Sequence, residues 1–307
     1  MTDSSNSTSS NSKCGFITII GAPNAGKSTL LNKIIGQKLS IVSPKPQTTR
    51  RKILGVYTKD ENQIIFIDTP GIFLPNKRLD KAMVKTAFDE IIHADEIIMI
   101  YDASQKTIDP NTHLIITELQ KSGKKINLIL NKIDLIAKEN LLQLSKTMQQ
   151  FNIFNETFMI SALTGDGIDK MLNMLIEKIP YGQWHFPDDQ ISDISLRELA
   201  EEITRECFFD KLYQELPYAL TIETERWEDF NDGSVKINQC VLIQKNSQKV
   251  ILLGHNGAKI KEVRMMAQKE LETVLERKVH LFLHVKVKPD WNEDPNYYKK
   301  TGLDFNN

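Results

Sequence analysis

The nine residues Gly21–Thr29, G-A-P-N-A-G-K-S-T, limit this chain more than any other stretch. They fit G-x-x-x-x-G-K-[S/T], a loop whose backbone N–H groups turn inward to cradle phosphates. Gly21 and Gly26 permit the tight turn. Lys27 can reach the β- and γ-phosphates, and the Ser28 hydroxyl suits Mg²⁺. Asn24, Ala25 and Thr29 belong to the same phosphate-binding set. Such a loop needs a strand before it and a helix after it. Phe16–Ile20 is an apolar run suited to a buried parallel strand, and Leu30–Ile35 has helical spacing. The N-terminus of that helix adds a favourable dipole.

Ser40–Arg51 carries two prolines and three basic residues, which disfavour a regular helix. In a nucleotide-binding domain a mobile switch sits here, and Thr48 or Thr49 can offer a hydroxyl to Mg²⁺ when a γ-phosphate is present. Taken alone, the stretch is equally a polar surface loop. Gln63–Ile67 reads as a strand ending in Asp68-Thr69-Pro70-Gly71. An acidic residue there is placed to hold Mg²⁺, usually through water, and the Gly71 N–H can sense the γ-phosphate.

Leu79–His93 and Thr112–Lys121 read as helices, and Glu96–Tyr101 and Lys125–Leu130 as buried strands. The last strand ends in Asn131-Lys132-Ile133-Asp134. The Asp134 carboxylate can accept from both N1–H and the 2-amino group of guanine, and adenine offers neither. Asn131 can hold the other edge of the base, and the Lys132 stem can cover its face. Out of context the same residues would read as a helix N-cap. After a strand over Glu156–Ile160, a backbone N–H within Ser161-Ala162-Leu163 can read guanine O6. Asp166-Gly167-Ile168 opens a helix running to about Ile179. Strands alternate with helices throughout, which predicts a doubly wound, mostly parallel α/β domain over residues 14–180.

These segments, in this order, resemble the translation-factor-related GTPases. The wording G-A-P-N-A-G-K-S-T, P-Q-T-T-R, D-T-P-G-I, N-K-I-D and I-S-A-L-T-G-D-G-I-D is most similar to the Era family of bacterial ribosome-assembly GTPases. The resemblance implies GTP/GDP and Mg²⁺ as ligands, hydrolysis aided by Lys27, Thr49 and Gly71, and Thr49 as the metal-side threonine. Many signalling GTPases place a water-orienting glutamine directly after the D-x-x-G glycine. Here that residue is Ile72. Slow intrinsic hydrolysis is the consequence, with another element, a partner or an ion, needed to position the water.

The chain has 307 residues, enough for two domains. Its 26% charged and 40% hydrophobic residues are those of an ordinary globular protein. Three scattered cysteines without C-x-x-C spacing argue for reduced thiols in the cytoplasm, not disulfides or a zinc site. No apolar run reaches the length of a membrane span. Residues 1–13 are rich in Ser, Asn and Thr and read as a disordered leader.

Pro180–Asp189 breaks the pattern with two prolines, a glycine and aromatics, and residues 181–195 read as a linker. Leu196–Leu212 is strongly helical, with Leu196, Leu199, Ile203, Phe208 and Leu212 near one stripe. Charge then reverses sharply. Tyr181–Asp232 holds four basic and fourteen acidic residues, whereas Gly233–Lys288 holds eleven basic and four acidic. A basic patch fits nucleic-acid phosphate, although a charge run alone is commonly a solvated face. Val235–Gln244 and Val279–Val287 alternate as half-buried strands, and a helix spans about Ala258–Arg277. Before it lies Gly254-His255-Asn256-Gly257. A G-x-x-G turn beside a sheet is how a KH domain clamps a single-stranded RNA backbone, and Lys259, Lys261 and Arg264 supply charge. The i, i+4 pair His280 and His284 falls on a strand and is read as two surface histidines, not a metal pair.

E-L-P-Y-A-L and L-F-L-H-V-K-V-K-P-D-W extend the same resemblance through this half. It implies a smaller α+β type II KH domain over residues 196–290, followed by a tail at 291–307. It also implies binding near the 3′ end of 16S ribosomal RNA during small ribosomal subunit maturation, with no DNA partner. It admits peripheral association with the cytoplasmic face of the inner membrane. The inner pair of the turn departs from the family, which has a basic residue and glycine where this chain has His255 and Asn256. Asn tolerates unusual backbone angles and His can donate to phosphate, so the mode of binding is expected to persist. Two other readings remain at this level: a second domain that binds a protein or membrane surface, and an ATP-dependent enzyme.

Overall fold

Strands that are apolar along both faces must be covered on both faces. β1 (Lys13–Ile20), β3 (Asn62–Asp68), β4 (Glu96–Asp102) and β5 (Ile126–Asn131) are of this kind, and every residue of β5 is buried. A computed structural model describes residues 12–304 apart from 44, 46 and 47. In it these strands join β2 (Ile53–Lys59) and β6 (Phe154–Met159) in a sheet of order β2-β3-β1-β4-β5-β6. β2 runs antiparallel to β3, and the other neighbours are parallel. Helices α1 (Lys27–Ile35) and α5 (Ile168–Lys178) cover one face. Helices α2 (Arg78–His93), α3 (Pro110–Ser122) and α4 (Lys138–Gln149) cover the other.

In this domain two elements, β2 and α4, were not legible in the sequence. β2 is an edge strand with a glycine at its centre, and only three of its residues are buried. Gly55 is needed there because a Cβ would lie 2.5 Å from Leu31 Cδ1 of α1. α4 buries only Leu141 and Met148, too thin a stripe to stand out. Of the expected leader, residues 1–11 lie outside the described residues, and Lys13 already belongs to β1. Its Nζ donates to the Ile176 and Glu177 carbonyls near the end of α5, which explains why a lysine can open this strand. Residues 181–195 lie along the sheet edge. Gln63 exchanges hydrogen bonds with His185 and Phe186, and Ser192 donates to the Leu54 carbonyl.

The second domain runs α6 (Leu196–Lys211), β7 (Leu220–Asp229), β8 (Val235–Ile243), α7 (Asn246–Leu253), α8 (Ala258–Leu275), β9 (Val279–Val287). β8 is central, antiparallel to β7 and parallel to β9. A parallel neighbour requires a crossover, which α7 and α8 provide. This is the α-β-β-α-α-β order of a type II KH domain. α6 and α8 cover one face of the sheet. Ser195 caps α6 by accepting from the Glu198 N–H. Leu196, expected in the apolar stripe, is the first residue of the helix and is 52% exposed.

The described part of the segment after β9, residues 288–304, packs on both domains. A 3-10 turn at Trp291–Glu293 and α9 (Pro295–Thr301) lay Trp291, Tyr298 and Leu303 against Cys240 and Leu242 on the other face of β8. The same segment reaches α2 through Arg78–Glu293 and Lys85–Asp304 ion pairs. Trp291 is 1% exposed, and its Nε1 donates to the Ala219 carbonyl. Trp291→Ala should therefore destabilise the second domain by about 3–5 kcal/mol, as truncation of a buried aromatic does. Urea unfolding followed on that domain's own transition would check it.

Candidate functional site

The phosphate loop joins the end of β1 to α1, and its shape is fixed by close backbone contacts. Gly26 has φ 103°, and a Cβ there would sit 2.2 Å from Asn131 Nδ2. A Cβ on Gly21 would lie 2.5 Å from the Ile100 carbonyl oxygen. Asn24 also takes the left-handed conformation, with φ 63°. Asn131 is 1% exposed and braces the site: Nδ2 donates to the Ala25 carbonyl at 2.8 Å, and Oδ1 accepts from the Ala162 N–H at 2.9 Å. The structure thus gives Asn131 the task of tying the phosphate loop to the Ser161–Leu163 loop. The Ala162 N–H is committed to that brace, and Leu163 is 73% exposed. Ser161 Oγ accepts from the Thr164 N–H, which folds this loop on itself.

Lys132 has φ 66° and pairs with Asp102 at 2.7 Å, which holds its stem beside the loop. Asp134 is exposed in a short 3-10 turn and caps no helix. Its carboxylate therefore remains available to the edge of a base, as the N-K-x-D reading requires.

At the other end of the site lies a cavity of about 210 Å³. Its walls include Gly26, Lys27, Ser28, Thr29, Thr48, Thr49 and Gly71. Lys27 Nζ donates to the Gly21 and Ala22 carbonyls, and burial pushes its pKa down to about 8 against the pull of Asp68. Asp68 is fully buried, and burial pushes its pKa up while Lys27 and two hydroxyls oppose the shift. Its Oδ2 accepts from Ser28 Oγ at 2.7 Å and from Ser40 Oγ at 2.9 Å, but Oδ1 has no hydrogen-bond partner among the described residues. Thr49 is buried with its hydroxyl 3.0 Å from Ser28 Oγ. Convergent hydroxyls and a buried carboxylate with an unsatisfied oxygen fit a hard, oxygen-seeking cation. Ser28, Thr49 and Asp68 would hold Mg²⁺ there, and its charge would offset that developing on a phosphate. Thr48 lines the same cavity but is engaged through its carbonyl, which takes a hydrogen bond from Arg205.

Ile72 is fully buried, and its N–H donates to the Gly21 carbonyl. A side chain turned into the core cannot orient an attacking water from this position.

The stretch from Ser40 to Arg51 is irregular where described, as its prolines predict. It is also fastened to the second domain. Arg50 is buried, and burial pushes its pKa down. It donates to the Pro217, Tyr218 and Leu220 carbonyls and lies 5.7 Å from the Trp291 ring centroid. Arg51 pairs with Glu198 at 2.8 Å, and Lys45 donates to the Phe209 and Leu212 carbonyls. Glu206 accepts from the Val42 N–H and pairs with Lys38 at 2.5 Å. Glu201, Thr204, Arg205 and Glu206 of α6 are buried, so the helix packs on both sides. Its apolar stripe was legible in the sequence; its charged inner side was not, because those charges find their partners through tertiary contacts, Glu201 with Lys300, Glu206 with Lys38, and Arg205 with both Glu202 and the Thr48 carbonyl.

At the far end of the second domain, Gly254–Gly257 turns from α7 into α8. Gly254, Asn256 and Gly257 have φ of 71°, 49° and 74°. A Cβ on Gly254 would lie 2.8 Å from Lys259 Cβ. His255, Asn256 and Lys261 are exposed, Lys259 is half-buried, and Arg264 donates to Gln268. Val250 and Ile251 of α7 are 72% and 54% exposed beside the turn. Their exposure is not legible in the sequence, because an apolar pair in a helix reads as core.

Residues 16–132 match the family model described as a 50S ribosome-binding GTPase, and residues 215–292 match the KH domain model. The chain is 47% identical over 305 residues to the GTPase Era of Mesorhizobium japonicum, covering 99% of this chain and 98% of that protein. It is 47% identical over 293 residues to the GTPase Era of Brucella suis, covering 95% and 94%. Among solved structures, it is similar to a variant of Aquifex aeolicus Era bound to GDP and AlF4⁻ (TM-score 0.88, 36% identity, 94% of this chain and 99% of that one). It is also similar to Era in complex with MgGDPNP and nucleotides 1506–1542 of 16S ribosomal RNA (TM-score 0.89, 36% identity, 95% and 99%).

Two substitutions separate the parts of this site. Asp134→Asn replaces an acceptor by an amide that can donate to a 2-oxo group, so preference should move from guanine to xanthine nucleotides. Gly26→Ala should abolish binding of both by displacing Asn131. Titration with fluorescent GDP and XDP analogues would read each outcome.

Proposed function

We propose that this chain, which belongs to the Era family of GTPases, uses GTP binding and hydrolysis to time its grip on ribosomal RNA. It is a GTPase with a KH domain, and its ligands are GTP, GDP and Mg²⁺. The RNA is a single-stranded segment at the 3′ end of 16S ribosomal RNA, and the setting is maturation of the small ribosomal subunit. That work belongs to the cytoplasm, and three buried free thiols suit its reducing conditions.

The observation that carries the reading is a shared segment. Thr49 brings its hydroxyl to Ser28, and the next residue, Arg50, is buried among carbonyls of the second domain. A change of nucleotide that moves Thr49 must pull on Arg50. In the GTP state the Ser40–Arg51 and Asp68–Leu74 segments close on the γ-phosphate, and hydrolysis releases them. The two domains then shift relative to one another. RNA lies along the Gly254–Gly257 turn, with its backbone against the glycines and Lys259 and Lys261, and with bases on Val250 and Ile251.

Two outcomes are expected of the full-length chain. It should bind an oligonucleotide copy of the 16S 3′ end, more weakly as salt rises, and Gly257→Asp should abolish this while leaving GDP affinity unchanged. RNA binding that survives the substitution would move the interface elsewhere, and capture by lipid vesicles instead of RNA would favour a membrane partner. Turnover of GTP by the protein alone should be slow, on the order of 10⁻² s⁻¹ or less, as in GTPases whose water is not positioned. Many turnovers per second would contradict the role given to Ile72.

A further inference from the structure

The face of the three-stranded sheet opposite α6 and α8, beside the part that the C-terminal segment covers, brings together three side chains that lie apart in sequence. Cys240 on β8 is directly opposite His284 on the parallel strand β9. On its other side β7 pairs Glu223 with Cys240, and the register shifts between Thr224 and Arg226. Glu225 is the extra residue of that bulge, and its carboxylate is aimed at the same spot, with Oε2 3.4 Å from His284 Nε2. The ligand-type atoms of Glu225, Cys240 and His284 all lie within 4.8 Å of one another. Cys240 is 1% exposed and forms the floor, while Glu225 and His284 are exposed and form the rim.

We propose that Glu225, Cys240 and His284 form a three-ligand site for a borderline-soft divalent cation of the Zn²⁺ type. The donor set is one sulfur, one nitrogen and one oxygen, which suits zinc and is unsuited to Mg²⁺. Ligand atoms around a tetrahedral zinc stand roughly 3.5 Å apart, so contraction by about 1 Å closes the set. A strand pair in register and a bulge supply the rigid placement, and the exposed rim supplies the entry path and an open fourth position for water. Glu223 beside the thiol favours a cation, and Lys286 on the next exposed position of β9 opposes it. Burial, with Glu225 next, raises the Cys240 pKa to about 11, so the thiol is protonated before metal arrives and binding must release that proton. The site is distinct from the Ser28–Asp68 cluster, which holds only oxygen donors.

Cobalt titration of the full-length GDP–Mg²⁺ complex tests this directly, because thiolate ligation to Co²⁺ gives a charge-transfer band in the near ultraviolet that oxygen ligation does not. One Co²⁺ per chain is expected with that band, displaced by Zn²⁺. Cys240→Ser should remove the band. His284→Ala, a change at an exposed rim position that leaves the buried thiol in place, should weaken binding by at least about tenfold, since even an outer-shell partner is worth 10–100-fold. Cys14→Ser and Cys207→Ser should change nothing. No band in the wild-type protein, or a band that survives both Cys240→Ser and His284→Ala, would overturn the proposal and leave Glu225 and His284 as an ion pair.

Discussion

Arg50 is the constraint on which the two domains depend. A buried guanidinium carries a large desolvation cost that only well-directed acceptors can offset. It finds them in three carbonyls at the entrance to β7, and the ring of Trp291 lies nearby. Because the residue before it is Thr49, the metal cluster and the second domain share one short piece of backbone. Arg205 adds a second tie by holding the Thr48 carbonyl from the α6 side. A movement at Ser28 and Asp68 that carries Thr49 with it would strain these contacts, and that is the route proposed for coupling the phosphate site to the second domain.

The remainder of the molecule divides its work around that joint. The mostly parallel sheet, covered on both faces, fixes the ends of β1, β3 and β5, where Gly21, Asp68 and Asn131 stand. Asn131 then ties two of the loops together through a single buried amide. The C-terminal segment performs a similar service for the second domain. It covers the apolar part of the β8 outer face and reaches α2, the first helix after the Asp68–Leu74 segment. The first domain thus touches the second through both the Ser40–Arg51 stretch and α2.

The nucleotide site was legible in the sequence because its chemistry demands particular residues at fixed spacing. Of the residues singled out there, the structure brings Gly26, Lys27, Ser28, Thr48, Thr49 and Gly71 to one cavity, with Asp68 hydrogen-bonded to Ser28, and it is the Thr49 hydroxyl that meets Ser28. Asn131 could be read as functional, but not as the brace it is, since its partners Ala25 and Ala162 are backbone groups without a sequence signature. The interface was invisible for a related reason. Arg50, Arg51, Arg205 and Glu206 look like surface charge until the other domain buries them. Cys240 and His284 likewise seemed unrelated in sequence, 44 residues apart, and only parallel pairing of β8 with β9 sets them side by side.

The most direct measurement is the RNA affinity of the full-length protein with GDP and with a non-hydrolysable GTP analogue, in the wild type and in Arg50→Ala. A joint of this kind should give a nucleotide-dependent difference in the usual range of allosteric coupling, about 5–150-fold, and Arg50→Ala should shrink it towards unity. Equal affinities in the wild type, or a ratio unchanged by the substitution, would mean that the shared segment does not transmit the nucleotide state.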